Sequence, residues 1–304
     1  MKDVSNKFES LRTAGAIARV WAKPETLSLI RENKVPKGNV IEIAKTAGIL
    51  AAKRTSELIP LCHPIPLDYV EMEISVTKEE MVVESSVKAV WKTGVEMEAL
   101  TAVTVAALTI YDMLKPLDDS IEIQSIKLSR KTGGITDFIE SFQPPLKAAV
   151  LVLSTSTFEG KRKDKSGQII VERLKEQPIA VVKYEILPDD EEKIRAELLN
   201  LVEKEKVDLI VTTGGAGLGP SDVTVEATRK VIEKEVPGIV EAARAFGQKR
   251  TPYSMLSRGL AGVKGKTLII NLPGSSNGVR ESLDCFLPAV LHAFKMIWGG
   301  GHKE

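Results

Sequence analysis

Cysteine is nearly absent. The 304-residue chain holds two, Cys62 and Cys285, with neither a CxxC pair nor the Cys/His spacing of a zinc site. That excludes a disulfide framework and fits a reducing compartment. An excess of one charge is missing too: 42 Lys and Arg residues nearly cancel 41 Asp and Glu. No net field draws the chain to nucleic acid or an anionic membrane. The sequence has no apolar run of roughly eighteen residues, and MKDVSNKFESLRTAG lacks the apolar centre of a signal peptide. These absences predict a cytoplasmic protein without nucleic-acid or membrane partners. The length predicts two domains, each with its own core.

What is present centres on residues 92–115, KTGVEMEALTAVTVAALTIYDMLK. The uncharged stretch 99–110 reads as a helix apolar all round, hence buried. At about twelve residues it is too short to span a bilayer. Ionisable groups bracket it. Glu96, Glu98 and Lys115 suit the helix macrodipole, but Asp112 has the wrong sign for its end. Glu98 and Asp112 lie on nearly the same side of such a helix yet about 21 Å apart along it. One small reacting centre does not reach both, which suggests sites shared between two copies of the chain.

The rest of the first half reads as α+β. Residues 1–20 are polar and mixed, with Arg12 the candidate anion ligand. A short helix over 25–32 precedes the turn Lys37-Gly38-Asn39. Asn39 can cap a helix over 40–57 that carries Lys53 near its end. The prolines of LIPLCHPIPL (58–67) enforce a stiff extended loop displaying Leu61, Cys62 and His63. Cys62 reads as a small hydrophobe, His63 as one of only three histidines. A hairpin over 69–76 and 81–91 and a strand over 120–129 complete the sheet, with helices on one face. Lys131-Thr132-Gly133-Gly134 then makes a plausible anion nest or a plain turn.

The strings KGNVIEIAKTAGILAAKRTSELIPLCHPIPL, KTGVEMEALTAVTVAALTIYDMLK and KLSRKTGG together resemble the MoaC family, the cyclic pyranopterin monophosphate synthases of molybdenum-cofactor biosynthesis. The resemblance implies a ferredoxin-like α+β domain over 1–142 with no tightly bound cofactor. It implies conversion of a cyclised dihydro-GTP, supplied by a radical GTP cyclase, to cyclic pyranopterin monophosphate and pyrophosphate. It makes Asp112 the active-site residue and places Leu61, Cys62, His63, Met97 and Glu98, beside Glu96, on the substrate. Arg12, Lys37, Lys53, Lys115 and Lys131 match the family's basic residues. A triphosphate suits several cations, since charge gathers on the departing pyrophosphate. Asp112 and Lys115, with His63, are the expected proton carriers. The chain departs from the family pattern at Asn39, usually an aspartate, and lacks the second lysine of KSGGKSG.

Residues 137–145, DFIESFQPP, read as a stiff spacer. Beyond it, strands over 147–153, 179–186, 207–211 and 267–271 alternate with helices. This predicts an α/β three-layer domain, 147–304, with a mostly parallel sheet. Two glycine-bearing loops follow strands, 212–224 (TTGGAGLGPSDVT) and 272–278 (LPGSSNG), and should face one crevice. A helix over 279–298 closes the domain. Asp222 alone reads equally as a helix cap or a metal ligand.

TTGGAGLGPSDVTVEAT, SMLSRGLAGVKGKTLIINLPGS and Leu187-Pro188-Asp189 resemble the molybdopterin-binding MoaB/MogA family. Active members adenylylate molybdopterin with Mg-ATP. The resemblance implies Asp189 and Asp222 for Mg²⁺ and catalysis, and Gly214, Gly215 and Gly217 for phosphate. Ser257, Gly274 and Ser275 would contact pterin or phosphate. Ala216, Ser221 and Ser276-Asn277 replace a Thr, an Arg and a Pro-Lys of the family, so a non-catalytic pterin-binding or trimerising module is the alternative. Both resemblances imply pterin and nucleotide substrates, a threefold homo-oligomer (trimer or hexamer) and a downstream metal-insertion enzyme.

Overall fold

The computed structural model describes residues 1–300; the last residues assigned above to the second domain, 301–304, lie outside them. The chain divides into two compact units, Met1–Asp137 and Phe138–Glu304.

The first unit runs β1 (Ser10–Trp21), α1 (Pro24–Arg31), α2 (Val40–Lys53), α3 (Thr55–Leu58), β2 (Tyr69–Val76), β3 (Glu80–Trp91), α4 (Glu96–Leu114) and β4 (Glu122–Thr132). Its sheet has the order β2-β3-β1-β4, and every neighbouring pair is antiparallel. The stretch expected to be merely polar therefore contains a twelve-residue central strand. On one of its faces Ala14, Ala16, Ala18 and Val20 are buried. They meet α4, itself lined with Ala99, Ala102, Ala106 and Ala107, so small side chains on both elements allow close approach.

α4 is longer than its uncharged stretch. Its 19 residues are long and apolar enough, by length and composition, to cross a membrane. The burial expected from residues 99–110 is what the structure shows. Ten residues of α4 are buried inside the unit. Val103, Ile110 and Leu114 are wholly enclosed, each worth about 2 kcal/mol of burial. Asn39 accepts a hydrogen bond from Glu42 N at 3.1 Å and starts α2. β4 extends to Thr132, so Lys131 sits on a strand end and not in the following loop.

The second unit runs β5 (Leu146–Leu153), α5 (Thr155–Phe158), α6 (Ser166–Lys175), β6 (Ile179–Leu187), α7 (Glu191–Glu203), β7 (Leu209–Thr213), α8 (Thr224–Arg229), β8 (Lys234–Glu235), α9 (Pro237–Gln248), β9 (Ala261–Lys264), β10 (Thr267–Leu272), α10 (Ser276–Phe286) and α11 (Ala293–Ile297). The sheet order is β6-β5-β7-β10-β9-β8. The first four strands are parallel; β9 and β8 add an antiparallel edge. Two cores lie on opposite sides of the sheet, since alternate residues of β5 divide between them: Ala148 and Val150 in one, Ala149 and Leu151 in the other.

Two expectations are corrected here. The helix predicted over 279–298 breaks at Pro288, whose ring and missing N–H end α10. The supposed spacer 137–145 is partly anchored. Glu140 pairs with His292 at 2.6 Å and with Lys295 at 2.5 Å. Phe142 stacks edge-on against Phe294 and Trp298.

Candidate functional site

In the first unit the C-terminal end of α4 presents Asp112 between two lysines. Lys115 Nζ lies 2.7 Å from Oδ1. Lys37 Nζ lies 3.1 Å from Oδ2 and donates to the Asp112 carbonyl at 2.6 Å. Hydrogen bonds from Lys115 and then Lys37 hold the carboxyl below its ordinary range, so it is an anion at neutral pH. The same contact keeps Lys115 protonated. These cations offset the wrong sign of Asp112 for a helix C-terminus. Lys53 is exposed at the end of α2.

At the other end of α4, Glu98 is 3% exposed and its Oε2 has no hydrogen-bond partner among the described residues. Burial pushes the carboxyl up to about 7, and neighbouring Glu96 pushes it the same way. The Cys62 thiol is raised by burial and by the charge of Glu98. Leu61 and Met97 are exposed. His63 Nε2 lies 2.9 Å from the Lys2 carbonyl.

A cleft of about 320 Å³ opens next to this end, lined by Arg12, Glu96, Lys131, Gly134 and Asp137, with Lys7 at its edge. Arg12 is 5% exposed. Its Nε donates to Trp91 O at 3.2 Å and its Nη2 to Lys92 O at 3.3 Å. Burial lowers its pKa while Glu96 and Asp137 oppose the shift, and the guanidinium stays charged. Lys131 lies 3.5 Å from Glu96. The candidates thus fall into three groups: Asp112 with Lys37 and Lys115; Glu98 with Cys62; Arg12 with Glu96 and Lys131. Fourteen residues of helix, about 21 Å, keep the first apart from the others within the chain. Lys7 and Asp137 had escaped the sequence reading; neither carries a local signal.

In the second unit the loops after β7 and β10 abut. Thr213 Oγ1 donates to Pro273 O at 2.8 Å, and a Cβ on Gly274 would lie 3.3 Å from Gly214 Cα. Gly214 has φ +98°, and a Cβ there would strike Leu153 O at 2.2 Å, so only glycine fits. With Ser154 and Ser275 these loops line a cleft of about 300 Å³, whose far rim carries Arg162, Lys163 and Lys165. The run KRKDK is their only signal in the sequence. Ser257 lines an adjoining cleft of about 630 Å³ with Tyr253 and Asn277; Ser275 borders both.

The two aspartates are engaged elsewhere. Asp189 Oδ2 accepts from Thr155 N at 2.8 Å and Thr155 Oγ1 at 2.9 Å. Asp222 is no helix cap: its Oδ2 accepts from Gly219 N at 2.6 Å, closing the glycine loop on itself next to Gly217. Gly215, at φ +61°, sits beneath Thr224. Among the described residues no group of three or more His, Cys, Asp or Glu side chains could hold a metal ion. A nucleotide-bound Mg²⁺ needs only one or two carboxylates besides phosphate oxygens, so these aspartates fit in kind. Arg258, absent from the sequence reading, clamps the loop. It donates to Gly217 O at 2.6 Å, to Asp222 O at 2.7 Å and to Glu226 Oε1 at 2.5 Å.

Residues 1–134 match the MoaC family, and residues 149–292 match the probable molybdopterin binding domain. The chain is 42% identical to a molybdenum cofactor biosynthesis bifunctional protein of Chlorobaculum tepidum over 302 residues, 99% of this chain and 96% of that one. Over 136 residues it is 54% identical to a cyclic pyranopterin monophosphate synthase of Aquifex aeolicus, covering 45% of this chain and 54% of the relative. The crystal structure of the molybdopterin biosynthesis enzyme MoaB from Thermus thermophilus is 44% identical, with a TM-score of 0.49 over 52% of this chain and 99% of that chain.

Proposed function

From the premise that this chain belongs to the bifunctional molybdenum cofactor biosynthesis proteins, we propose that its two units catalyse two steps of that biosynthesis. The first is a cyclic pyranopterin monophosphate synthase acting on a cyclised dihydro-GTP, as the names of its synthase relatives suggest. The βαββαβ order of strands and helices, with the sheet order β2-β3-β1-β4, supports a ferredoxin-like reading of this unit.

The observation that carries the synthase is the buried Arg12 facing a cleft beside Lys131. A guanidinium held by two carbonyls, without a carboxylate partner of its own among the described residues, suits a phosphate. Arg12 and Lys131 would bind the triphosphate and stabilise the departing pyrophosphate. Asp112 and Lys115 would move protons at the rearranging ring. Their separation from Glu98 supports a site completed by a second copy, and the exposed Ile43, Leu50, Leu58, Leu108 and Tyr111 offer apolar surface for it. Mixing inactive Asp112→Asn chains with inactive Glu98→Gln chains should restore activity once subunits exchange. Proven exchange without recovery would rule out shared sites.

We infer that the second unit adenylylates molybdopterin: a substrate phosphate attacks the α-phosphorus of ATP and pyrophosphate leaves. The basic rim of Arg162, Lys163 and Lys165 beside the glycine loops is what supports this. Magnesium, when bound with ATP, would supply further charge neutralisation, with Asp189 and Asp222 as its carboxylates. A non-catalytic pterin-binding or trimerising module is favoured instead by the Asp222 carboxylate closing on Gly219. Molybdopterin-dependent pyrophosphate release from Mg-ATP, lost in Asp222→Asn, decides for the enzyme; molybdopterin binding without release decides for the module. A cytoplasmic location, a threefold oligomer, and radical-cyclase and metal-insertion partners complete the proposal.

A further inference from the structure

The cleft that would take the substrate triphosphate already contains an anion belonging to the chain. Gly133, at φ +91°, donates its N–H to Asp137 Oδ2 at 2.7 Å, and Asp137 lines the cleft. A Cβ on Gly133 would strike Leu11 O at 1.8 Å, and Ser10 Oγ donates to Gly133 O at 2.8 Å, so this turn is fixed. Gly134 does a different job. A Cβ there would stand 3.7 Å from Arg12 Nη1, over the one guanidinium nitrogen for which the structure shows no protein acceptor among the described residues. Gly134 and Arg12 both line the cleft. A backbone N–H and a guanidinium nitrogen without a protein acceptor, brought together around a glycine pair, suit one phosphate oxygen cluster. Asp137 occupies that N–H and acts electrostatically on Arg12 without pairing with it.

We propose that Asp137 is a built-in competitor for substrate phosphate: its carboxylate occupies the Gly133 amide in the resting protein and is displaced when the triphosphate binds. A phosphate that takes the Gly133 amide must break its hydrogen bond to Asp137 and bring its charge towards that carboxylate. Asp137 thereby weakens the grip on the triphosphate and, equally, on the pyrophosphate product, whose release it assists. The neighbouring Lys131 is likewise paired with a carboxylate of the chain, Glu96, at 3.5 Å. This inference rests on the reading of the cleft as the synthase phosphate site.

The test is steady-state synthase kinetics of the full chain with the cyclised dihydro-GTP, and pyrophosphate as product inhibitor. Asp137→Asn keeps the size and an acceptor oxygen but removes the charge. KM and the pyrophosphate inhibition constant should both fall, by about 3- to 10-fold, with the difference shrinking as salt rises. A KM that is unchanged or higher would overturn the proposal and make Asp137 a support for the turn. Arg12→Gln separates the two levels: if it leaves KM and pyrophosphate inhibition unaltered, the cleft is not the phosphate site and both readings fall. If Arg12→Gln raises both constants while Asp137→Asn moves neither, only the competitor role is lost. A thermal melt of each variant confirms folding.

Discussion

Lys37 and Asp112, 75 residues apart in the chain, are joined twice, through the aspartate carboxylate and through its backbone carbonyl. A single ammonium thus fixes both the orientation of the carboxylate and the end of α4. Lys37 lies in the turn before α2, so the helix pair α2–α4 is tied at this point. Asp112→Asn should lower synthase kcat by about 10²- to 10⁴-fold, the range for loss of a proton carrier. Lys37→Met should cost less in kcat, because Lys115 still holds Oδ1. Equal losses in the two variants would make Lys37 a proton carrier in its own right.

Glu98 makes the first unit sensitive to pH. Its folded pKa, about 7, lies above the ordinary value, so the folded form holds a proton that the unfolded chain releases. Its protonated state is fully compatible with folding below about pH 4.5. Stability should then fall as pH rises towards 7, by on the order of 3 kcal/mol, and level off above it. Denaturant titrations across this window should show the fall in the wild type and a flat line for Glu98→Gln. A synthase pH profile with an inflection near 7 that disappears in the same variant would tie the carboxyl to turnover.

Asp118 is the opposite case. It is 2% exposed and accepts from Lys23 N, Thr26 Oγ1, Ser120 N and Ser120 Oγ. Burial alone would raise its pKa, but these donors prevail and hold it well below the carboxylate range. Its contribution is present above the ordinary carboxylate pKa and lost as pH falls through the depressed one. Asp118→Ala strands four donors and should destabilise the unit by about 3 kcal/mol, read as a shift in the denaturant midpoint. A loss under about 1 kcal/mol would mean that water replaces the carboxylate.

Where local chemistry determines an element, the sequence showed it: Asn39 before α2, the continuous apolar β5, the glycine loops after β7 and β10. β1 stayed hidden because its inward face is built from Ala14, Ala16 and Ala18, which have weak hydropathy and poor strand propensity. Their reason for being there is the distant, equally alanine-rich α4. The sites divide in the same way. Asp112 stood out by the wrong sign for its helix end. Arg162, Lys163 and Asp137 did not, because only tertiary folding brings their loops to a cleft.

Arg258 shows what such convergence can do in the second unit. Its backbone N–H donates to Ala216 O at 3.0 Å, and its guanidinium spans from Gly217 O to Asp222 O while Glu226 neutralises it. Both limbs of the glycine loop therefore hang on one side chain, which holds the backbone of Asp222 in place. Arg258→Ala should lower kcat/KM for molybdopterin adenylylation by about 100-fold, the scale of a small misplacement of a reacting group. The Mg²⁺ concentration for half-maximal rate should rise with it. Arg258→Lys should recover only part, since an ammonium cannot reach three acceptors in one plane. Because the side chain is partly buried, stability should drop by only about 1–2 kcal/mol, leaving the variant folded for the assay. A melting shift with unchanged Mg²⁺ dependence would show that Arg258 holds the fold together and leaves Asp222 where it was.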